Sequence, residues 1–285
     1  MRKNILNSVF RVTFLASLSL SFYACGSGDE RKAGALLDEA RQAYARGRMN
    51  EALTLIDSIA AAYPREVEVR RSGMAFEDSV RLAVNESIFR TTDSLIAVAS
   101  AKIDSVASVW FIYEKTEYDE LGRFIAKSTD AARSGFRTYI HADVDEYGRA
   151  QLMSSYCGSG ELNHTALRLT LPSGESVTTS EIPYSDGANY RYKVNETCCE
   201  VVTYADGKDG GALAFAALHN GETIKATLLG GKKEIPVTVS SQDLRALAAT
   251  YELSVLLKDR LRLTQERKTA QLMVEKLQMK IQKRK

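Results

Sequence analysis

The sequence lacks the short motifs that mark the best-known catalytic sites. It contains no Gly-x-Ser-x-Gly, no His-Glu-x-x-His, no phosphate-binding loop, no Gly-x-Gly-x-x-Gly and no Cys-x-x-Cys. These absences argue against the enzyme classes that such motifs define. Only three histidines and four cysteines occur among 285 residues, which excludes a disulfide-dense scaffold. With 45% hydrophobic and 26% charged residues, the chain is neither collagen-like nor wholly disordered.

An excess of charge of one sign is also missing, because the formal net charge is only +2. This total hides an uneven distribution: residues 1–24 contribute +3, residues 241–285 contribute +6, and residues 25–240 therefore carry −7. A nucleic-acid-binding domain would instead spread basic residues over a folded face. The distribution therefore predicts no nucleic-acid partner.

The N-terminal segment has the pattern of an export signal. Arg2 and Lys3 precede an apolar run over residues 9–22 that is too short, and too often interrupted by serine, for a membrane span. The run ends in Phe22-Tyr23-Ala24-Cys25. This resembles a bacterial lipoprotein signal, in which a small residue precedes a cysteine that is lipidated and becomes the new N-terminus. The usual leucine three residues before that cysteine is Phe22 here, a looser form that occurs in some Gram-negative groups.

The resemblance implies that the signal peptide, residues 1–24, is removed and that Cys25 carries acyl chains such as palmitate. Burial of several acyl chains, at ~0.8 kcal/mol per CH₂, makes such an anchor effectively permanent. Gly26, where an aspartate would retain the protein at the inner membrane, implies the outer membrane. Residues 28–30 (Gly-Asp-Glu) either resemble a signal for the cell surface or belong to a short tether over 25–30. Both the periplasmic and the surface orientation are therefore open, and the alternative to lipidation is an ordinary secretory signal.

Residues 31–109 have the apolar spacing of helices. Within them, residues 31–63 predict a helical hairpin that closes before Pro64. The hairpin resembles a single tetratricopeptide repeat at Leu36, Ala40, Ala43, Gly47, Ala52, Ile56 and Pro64. The next 34 residues do not repeat this pattern, and a lone repeat cannot bury its face without neighbours. We therefore predict a repeat-like hairpin and a long helix, not a peptide-binding array.

From Trp110 the period of the apolar pattern changes to two, which is typical of strands. The sequence around Gly122, Asp-Glu-Leu-Gly-Arg, recurs around Gly148 as Asp-Glu-Tyr-Gly-Arg, and both glycines are predicted at positive φ in tight hairpins. Asn220-Gly221 predicts another hairpin between strands near 216–218 and 223–224. A β domain over 110–239 is expected, with eight to ten antiparallel strands in a meander that forms a sandwich or an open barrel.

Ser240 or Ser241 predicts the start of a long basic helix over 240–285. Its coiled-coil-like apolar stripe needs a partner, because a helix of about 40 residues is too long to stand alone. The simplest partner is the long helix before the β domain, paired antiparallel as a stalk of roughly 60 Å. The predicted fold class is thus α+β. The pairing would bring the last cations either to anionic headgroups near Cys25 or only to the negative end of the helix dipole: Lys276, Lys280, Lys283, Arg284 and Lys285.

One group of residues has the pattern of a site for chemistry. His141, Asp143 and Asp145 alternate along a predicted strand, so they share a face and could hold a hard metal ion or act as acid and base. The alternative, which we prefer, is the polar side of a half-exposed strand beside a turn. His164 and His219 are isolated near turns. We therefore predict no metal centre, no cofactor and no catalytic residue.

The remaining candidates are modifications of exported proteins. Cys157 is predicted to form a disulfide with either Cys198 or Cys199, because the two neighbours in a strand point to opposite faces. Four Asp-Ser pairs followed by an aliphatic residue resemble an O-glycosylation sequon of certain anaerobic Gram-negative bacteria, at Ser58, Ser79, Ser94 and Ser105. The alternative is that Asp-Ser simply suits polar helix positions.

The function expected from these patterns is that of a non-catalytic envelope lipoprotein, an anchored scaffold or interaction module with an envelope protein or a glycan as partner. The alternative is a ligand-binding lipoprotein that uses the tyrosine-rich β domain to bind a glycan, peptide or lipid, since tyrosine offers stacking area and a polar tip. A hydrolase that uses His141 and the neighbouring aspartates is the third possibility.

Overall fold

The structure is a computed structural model that describes residues 26–128, 137–231 and 233–284. Its architecture is α+β, as predicted, with five helices and two antiparallel sheets in the described residues. The helices are α1 (Gly26–Ala45), α2 (Met49–Ala62), α3 (Val67–Trp110), α4 (Ala212–Leu218) and α5 (Ser241–Gln282). The chain divides into two compact units. The helical unit combines the residues up to 91 with residues 266–285, and the β unit consists of residues 92–265.

The predicted hairpin over 31–63 is confirmed as α1 and α2. Its turn contains Gly47 at a φ of 76°, where Arg48 N–H donates back to the Ala43 carbonyl at 2.9 Å. Small and branched side chains at helical spacing bury the contacts of the hairpin with the first part of α3. The buried set is Ala33, Leu37, Ala40, Ala43, Ala52, Ile56, Ile59 and Val80.

The start of the described chain differs from the predicted tether over 25–30. Helix α1 begins at Gly26, so residues 26–30 are helical. The first turns are stabilised by an ion pair between Asp29 and Lys32, 3.5 Å apart, and by the complete burial of Ala33. Cys25 and the predicted signal segment 1–24 lie outside the described residues.

Within the helical unit, α5 runs antiparallel to α3. Lys280 Nζ lies 2.8 Å from Asp78 Oδ1, and Arg284 Nη1 lies 2.6 Å from Asp78 Oδ2. Earlier in α5, the Arg267 guanidinium stacks over the ring of Phe89, which follows Asp78 in α3. Two of the C-terminal cations therefore neutralise a buried carboxylate, a partner that the sequence did not suggest. No helix in the described part of the chain is both long and apolar enough to cross a lipid bilayer.

Ten strands form the two sheets of the β unit, within the predicted number. The first sheet has the order β1-β2-β3-β4-β8-β7 and the second the order β10-β9-β5-β6. Strands β1 to β4 make the predicted meander. The strand bounds are β1 Phe111–Glu114, β2 Arg123–Ala126, β3 Tyr139–Asp145, β4 Ala150–Gly158, β5 His164–Thr170, β6 Ser176–Thr178, β7 Asn189–Val194, β8 Thr197–Tyr204, β9 Lys225–Gly230 and β10 Glu234–Val237.

Alternate residues of these strands build one core that is shared by both sheets. Leu152 in β4 and Val202 in β8 pack in the same cluster as Leu167 in β5 and Leu228 in β9. Helix α4 and the first turns of α5 add Leu213, Ala216, Leu244 and Leu247. A second cluster packs Ile103 of α3 and Leu253 and Leu257 of α5 against Phe111 and Val144.

The two predicted glycine hairpins have different outcomes. Gly148 is confirmed at a φ of 80°, and its N–H donates to the Asp145 carbonyl at 2.9 Å. The prediction for Gly122 is wrong, because its φ is not positive and eight residues, 115–122, connect β1 to β2. Its neighbour is instead the ring of Tyr113, which a Cβ at position 122 would displace.

The hairpin predicted at Asn220-Gly221 is also wrong. Residues 212–218 form helix α4 rather than a strand, although Gly221 does adopt a turn φ of 104°. The segment Ala-Leu-Ala-Phe-Ala-Ala-Leu consists mainly of strong helix formers. One helical turn also lets Ala212, Leu213 and Ala216 face the core together. Helix propensity therefore outweighs the turn signal.

We expect Gly148→Ala to lower the free energy of unfolding by clearly more than Gly174→Ala. Both glycines have positive φ, 80° and 94°, so each alanine costs about 1–2 kcal/mol of backbone strain. Only at Gly148 would a Cβ also meet atoms of α5, at 2.5 Å from the Ser254 carbonyl oxygen. Urea unfolding followed by near-ultraviolet circular dichroism measures both losses. Equal losses would mean that α5 does not press on this turn.

Candidate functional site

Four buried polar side chains form a connected row in the core of the β unit. They are Ser154 in β4, His164 at the start of β5, and Glu200 and Tyr204 in β8. We call them the buried polar row. None is more than 1% exposed. Since burying polar groups without partners is costly, their contacts with one another decide whether this core is stable.

Each member of the row is hydrogen-bonded to the next. His164 Nδ1 lies 2.8 Å from Glu200 Oε2, and His164 Nε2 lies 3.0 Å from Ser154 Oγ. Ser154 Oγ lies 3.1 Å from the hydroxyl oxygen of Tyr204. The ionised Glu200 can only accept, so His164 Nδ1 carries the proton that it donates. Burial raises the pKa of Tyr204 to about 12.

The Glu200 carboxylate also accepts hydrogen bonds from three backbone N–H groups at the start of β5. Leu162 N and Asn163 N each donate to Oε1 at 2.7 Å, and His164 N donates to Oε2 at 2.9 Å. Asn163 has a φ of 57°, a left-handed conformation that asparagine tolerates and that directs consecutive N–H groups to one acceptor. Burial alone would raise the pKa of Glu200. The hydrogen bonds from His164 and these amides outweigh it and lower the pKa to about 2.

The hydrogen-bonded order of serine, histidine and acid is that of a nucleophilic triad, but the serine is not accessible to a substrate. In a working triad the serine oxygen must reach a substrate carbonyl. Here Ser154 and His164 are 0% exposed, so the serine oxygen is not open to a substrate carbonyl, and only Glu200 borders a surface cleft. The row joins Ser154 and Glu200 of the first sheet to His164 of the second. Its hydrogen bonds therefore link the two sheets inside the core.

The sequence did not reveal this row, and it described His164 as isolated. The partners of His164 lie 10 and 36 residues away, beyond any local pattern. One signal was available: Glu200 stands in an otherwise apolar stretch, Cys-Cys-Glu-Val-Val. An acid in a buried strand requires donors nearby.

Strand β3 does carry His141, Asp143 and Asp145 at alternate positions. Both carboxylates, however, already accept hydrogen bonds from other protein groups. The Arg123 guanidinium binds Asp143, with Nε at 2.8 Å, and Gln151 Nε2 donates to the same carboxylate at 3.2 Å. Asp145 accepts the N–H groups of Tyr147 and Arg149, both at 2.9 Å, and the Arg149 guanidinium. Within the described ranges, no cluster of three or more His, Cys, Asp or Glu side chains is arranged to hold a metal ion.

The cysteines are placed on neighbouring strands. Cys157 of β4 and Cys199 of β8 face each other directly in the register and form a disulfide, one of the two pairings that the sequence left open. Cys198 is a buried free thiol.

The four serines of the sequon-like pairs all lie within helices. Ser58, Ser94 and Ser105 are exposed, whereas Ser79 is half-buried and donates to the Ala75 carbonyl at 3.4 Å.

A cleft of about 270 Å³ opens beside Glu200, and we call it the tyrosine cleft. Its lining is polar and aromatic: Glu161, Tyr184, Arg191, Tyr192, Lys193, Cys198, Cys199 and Glu200. The Arg191 guanidinium lies over the ring of Tyr184, 4.5 Å from its centroid, and binds Asn163 Oδ1. Lys193 Nζ lies 2.9 Å from Glu161, and this hydrogen bond raises the pKa of Lys193. In this cleft, Tyr184 and Tyr192 line a concave surface of the β unit.

We expect Glu200→Gln to weaken the acid dependence of stability. The carboxyl has a pKa of about 2 when folded, against an ordinary 4.5. Its stabilisation is therefore present above 4.5 and is lost as the pH falls towards 2. Between about pH 5 and pH 3 the wild type should lose about 2 kcal/mol more than Glu200→Gln does.

Urea unfolding at the two pH values measures these losses, and Glu175→Gln is the matched control because Glu175 is an exposed acid. The control should keep the wild-type dependence. The same loss in the wild type and in Glu200→Gln would show that Glu200 is not held ionised in the core.

The chain matches no protein-family model. No curated protein and no solved structure matches it either. Its function is therefore argued from the contacts of its own residues and from the resemblance of its N-terminal segment to lipoprotein signals.

Proposed function

We propose that this protein is a non-catalytic lipoprotein of the bacterial outer membrane that acts as an anchored scaffold or interaction module. A lipid on Cys25 attaches it to the membrane, and the folded residues present a surface to a partner in the periplasm or at the cell surface. The observation that supports the non-catalytic part is the complete burial of Ser154 and His164 in the buried polar row. The resemblance of residues 1–25 to a lipoprotein signal carries the anchor.

The burial and hydrogen bonding of Asp143 and Asp145 on β3 support the same proposal. A general acid or base must reach the proton that it transfers, within about 3 Å. Asp143 and Asp145 are 3% and 2% exposed and are bound to arginines and backbone amides. These contacts lock the strand β3 and the turn after it, which is a structural task.

A second candidate function is favoured by the tyrosine cleft: binding of a small ligand such as one or two sugar units of a glycan. Tyr184 is 60% exposed, and the Arg191 guanidinium lies over its ring. A sugar ring can stack on an exposed tyrosine, and its hydroxyls can both donate to Glu161 and accept from Lys193. The cleft lies just below the range of about 300–1,000 Å³ that drug-sized ligands occupy. An acyl chain or a long peptide would not fit within it.

We expect Cys25→Ser to release the protein from the membrane. The wild type should sediment with membranes, resist a high-salt wash and dissolve only in detergent, because acyl burial is insensitive to salt. The variant should be soluble after the same salt wash. Fractionation followed by immunoblotting measures the distribution, and metabolic labelling with palmitate should mark only proteins that retain Cys25.

Cys198→Ser is the matched control, since it removes a buried free thiol and leaves Cys25 in place. It should remain in the detergent fraction with its palmitate label. If Cys25→Ser stays with the membranes after the salt wash, the lipid anchor at Cys25 is wrong.

A further inference from the structure

One surface of the helical unit combines cations with exposed apolar side chains. It is a depression of about 730 Å³ formed by Val67, Arg70, Arg71 and Met74 of α3 and by Arg284 at the end of α5. We call it the basic surface. Val67 is 58% exposed and Met74 is 53% exposed, which is high for side chains of this type.

The basic surface lies at the end of the helical unit where α1 begins. Ala33 and Leu37 of α1 pack in one cluster with Ile59 of α2 and Val69 of α3. Gly26 precedes Ala33 by seven residues of helix, or about 10 Å along the axis at 1.5 Å per residue. One peptide bond joins Gly26 to Cys25. A membrane that holds a lipid on Cys25 would therefore lie at the same end of the helical unit as the basic surface.

The charge of this end is positive even after its acids are counted. Residues 65–74, 78 and 280–284 contain six cations and three carboxylates: Arg65, Arg70, Arg71, Lys280, Lys283 and Arg284 against Glu66, Glu68 and Asp78. Two of these cations compensate the buried Asp78, and Arg71 lies 3.2 Å from Glu68. Lys283 is exposed. Six cations and three carboxylates leave a net excess of three positive charges around the apolar side chains.

We propose that the basic surface binds anionic phospholipid headgroups, so that it seats the helical unit on the leaflet that holds the lipid of Cys25. This inference rests on the proposed anchor at Cys25, which sets where the membrane lies. Cations attract anionic headgroups over a Debye length, and exposed Val67 and Met74 suit the boundary between headgroups and acyl chains. The lipid anchor raises the local concentration of this second contact, which is weak by itself.

The test uses the mature chain with Cys25→Ser, which has no lipid, and vesicles of phosphatidylcholine with or without phosphatidylglycerol. Co-sedimentation should show binding to the vesicles that contain phosphatidylglycerol, and high salt should abolish it. Adding Arg71→Glu and Lys283→Glu should lower the partition coefficient at least about tenfold, since two charges are reversed near the surface. The control adds Lys225→Glu and Lys258→Glu, which change the net charge equally in the β unit. It should stay within about twofold of the parent chain.

Two results would overturn the proposal. One is equal binding to vesicles with and without phosphatidylglycerol, including no binding to either. The other is an equal loss in the two double variants, which would mean that net charge rather than this surface governs binding. Far-ultraviolet circular dichroism of each variant establishes that it is folded. Because the chain in this assay carries no lipid, its outcome is independent of the fractionation of Cys25→Ser in cells.

Discussion

The Glu200 carboxylate is the group on which the β unit depends most. It is a negative charge that is only 1% exposed, and four donors from residues 162–164 surround it. Hydrogen bonds to charged groups are among the stronger ones in proteins. Removing one partner leaves the buried charge uncompensated, which is far more destabilising than replacing the charge and its partners together by apolar side chains. Glu200 therefore fixes where the chain enters β5, and so how the second sheet meets the first.

The same contact sets the surface that we connect with function. The segment that Glu200 holds includes Asn163, which binds Arg191, and it follows Glu161, which pairs with Lys193. Both partners belong to the tyrosine cleft. The Glu200 carboxylate thus helps to position Arg191 in the lining of the cleft, because it holds Asn163, to which Arg191 binds. We propose that the serine, histidine and acid in contact here make the core rigid, because function depends on the geometry and access of a site and not on its residue types alone.

Local patterns in the sequence predicted much of the fold, and non-local contacts account for most of what they missed. The spacing of Ala40, Ala43 and Ile56 sufficed for the helical hairpin, and the turn chemistry of Gly148 sufficed for its φ. Gly122 was misjudged because its constraint is the ring of Tyr113, nine residues away. Residues 212–218 were misjudged because a short run of Ala and Leu next to Asn-Gly suits a helix as well as a strand. The pair of Asp78 and Lys280, separated by 202 residues, has no local signal at all.

The central claim is that the buried polar row is structural and that the protein acts without catalysis. Its most direct test is the reaction of the folded protein with a fluorophosphonate, which labels serines that a histidine activates. Intact-mass spectrometry should find no adduct on the native chain, because Ser154 is fully buried. An adduct that maps to Ser154 and disappears in His164→Ala would contradict the account and identify an accessible nucleophile.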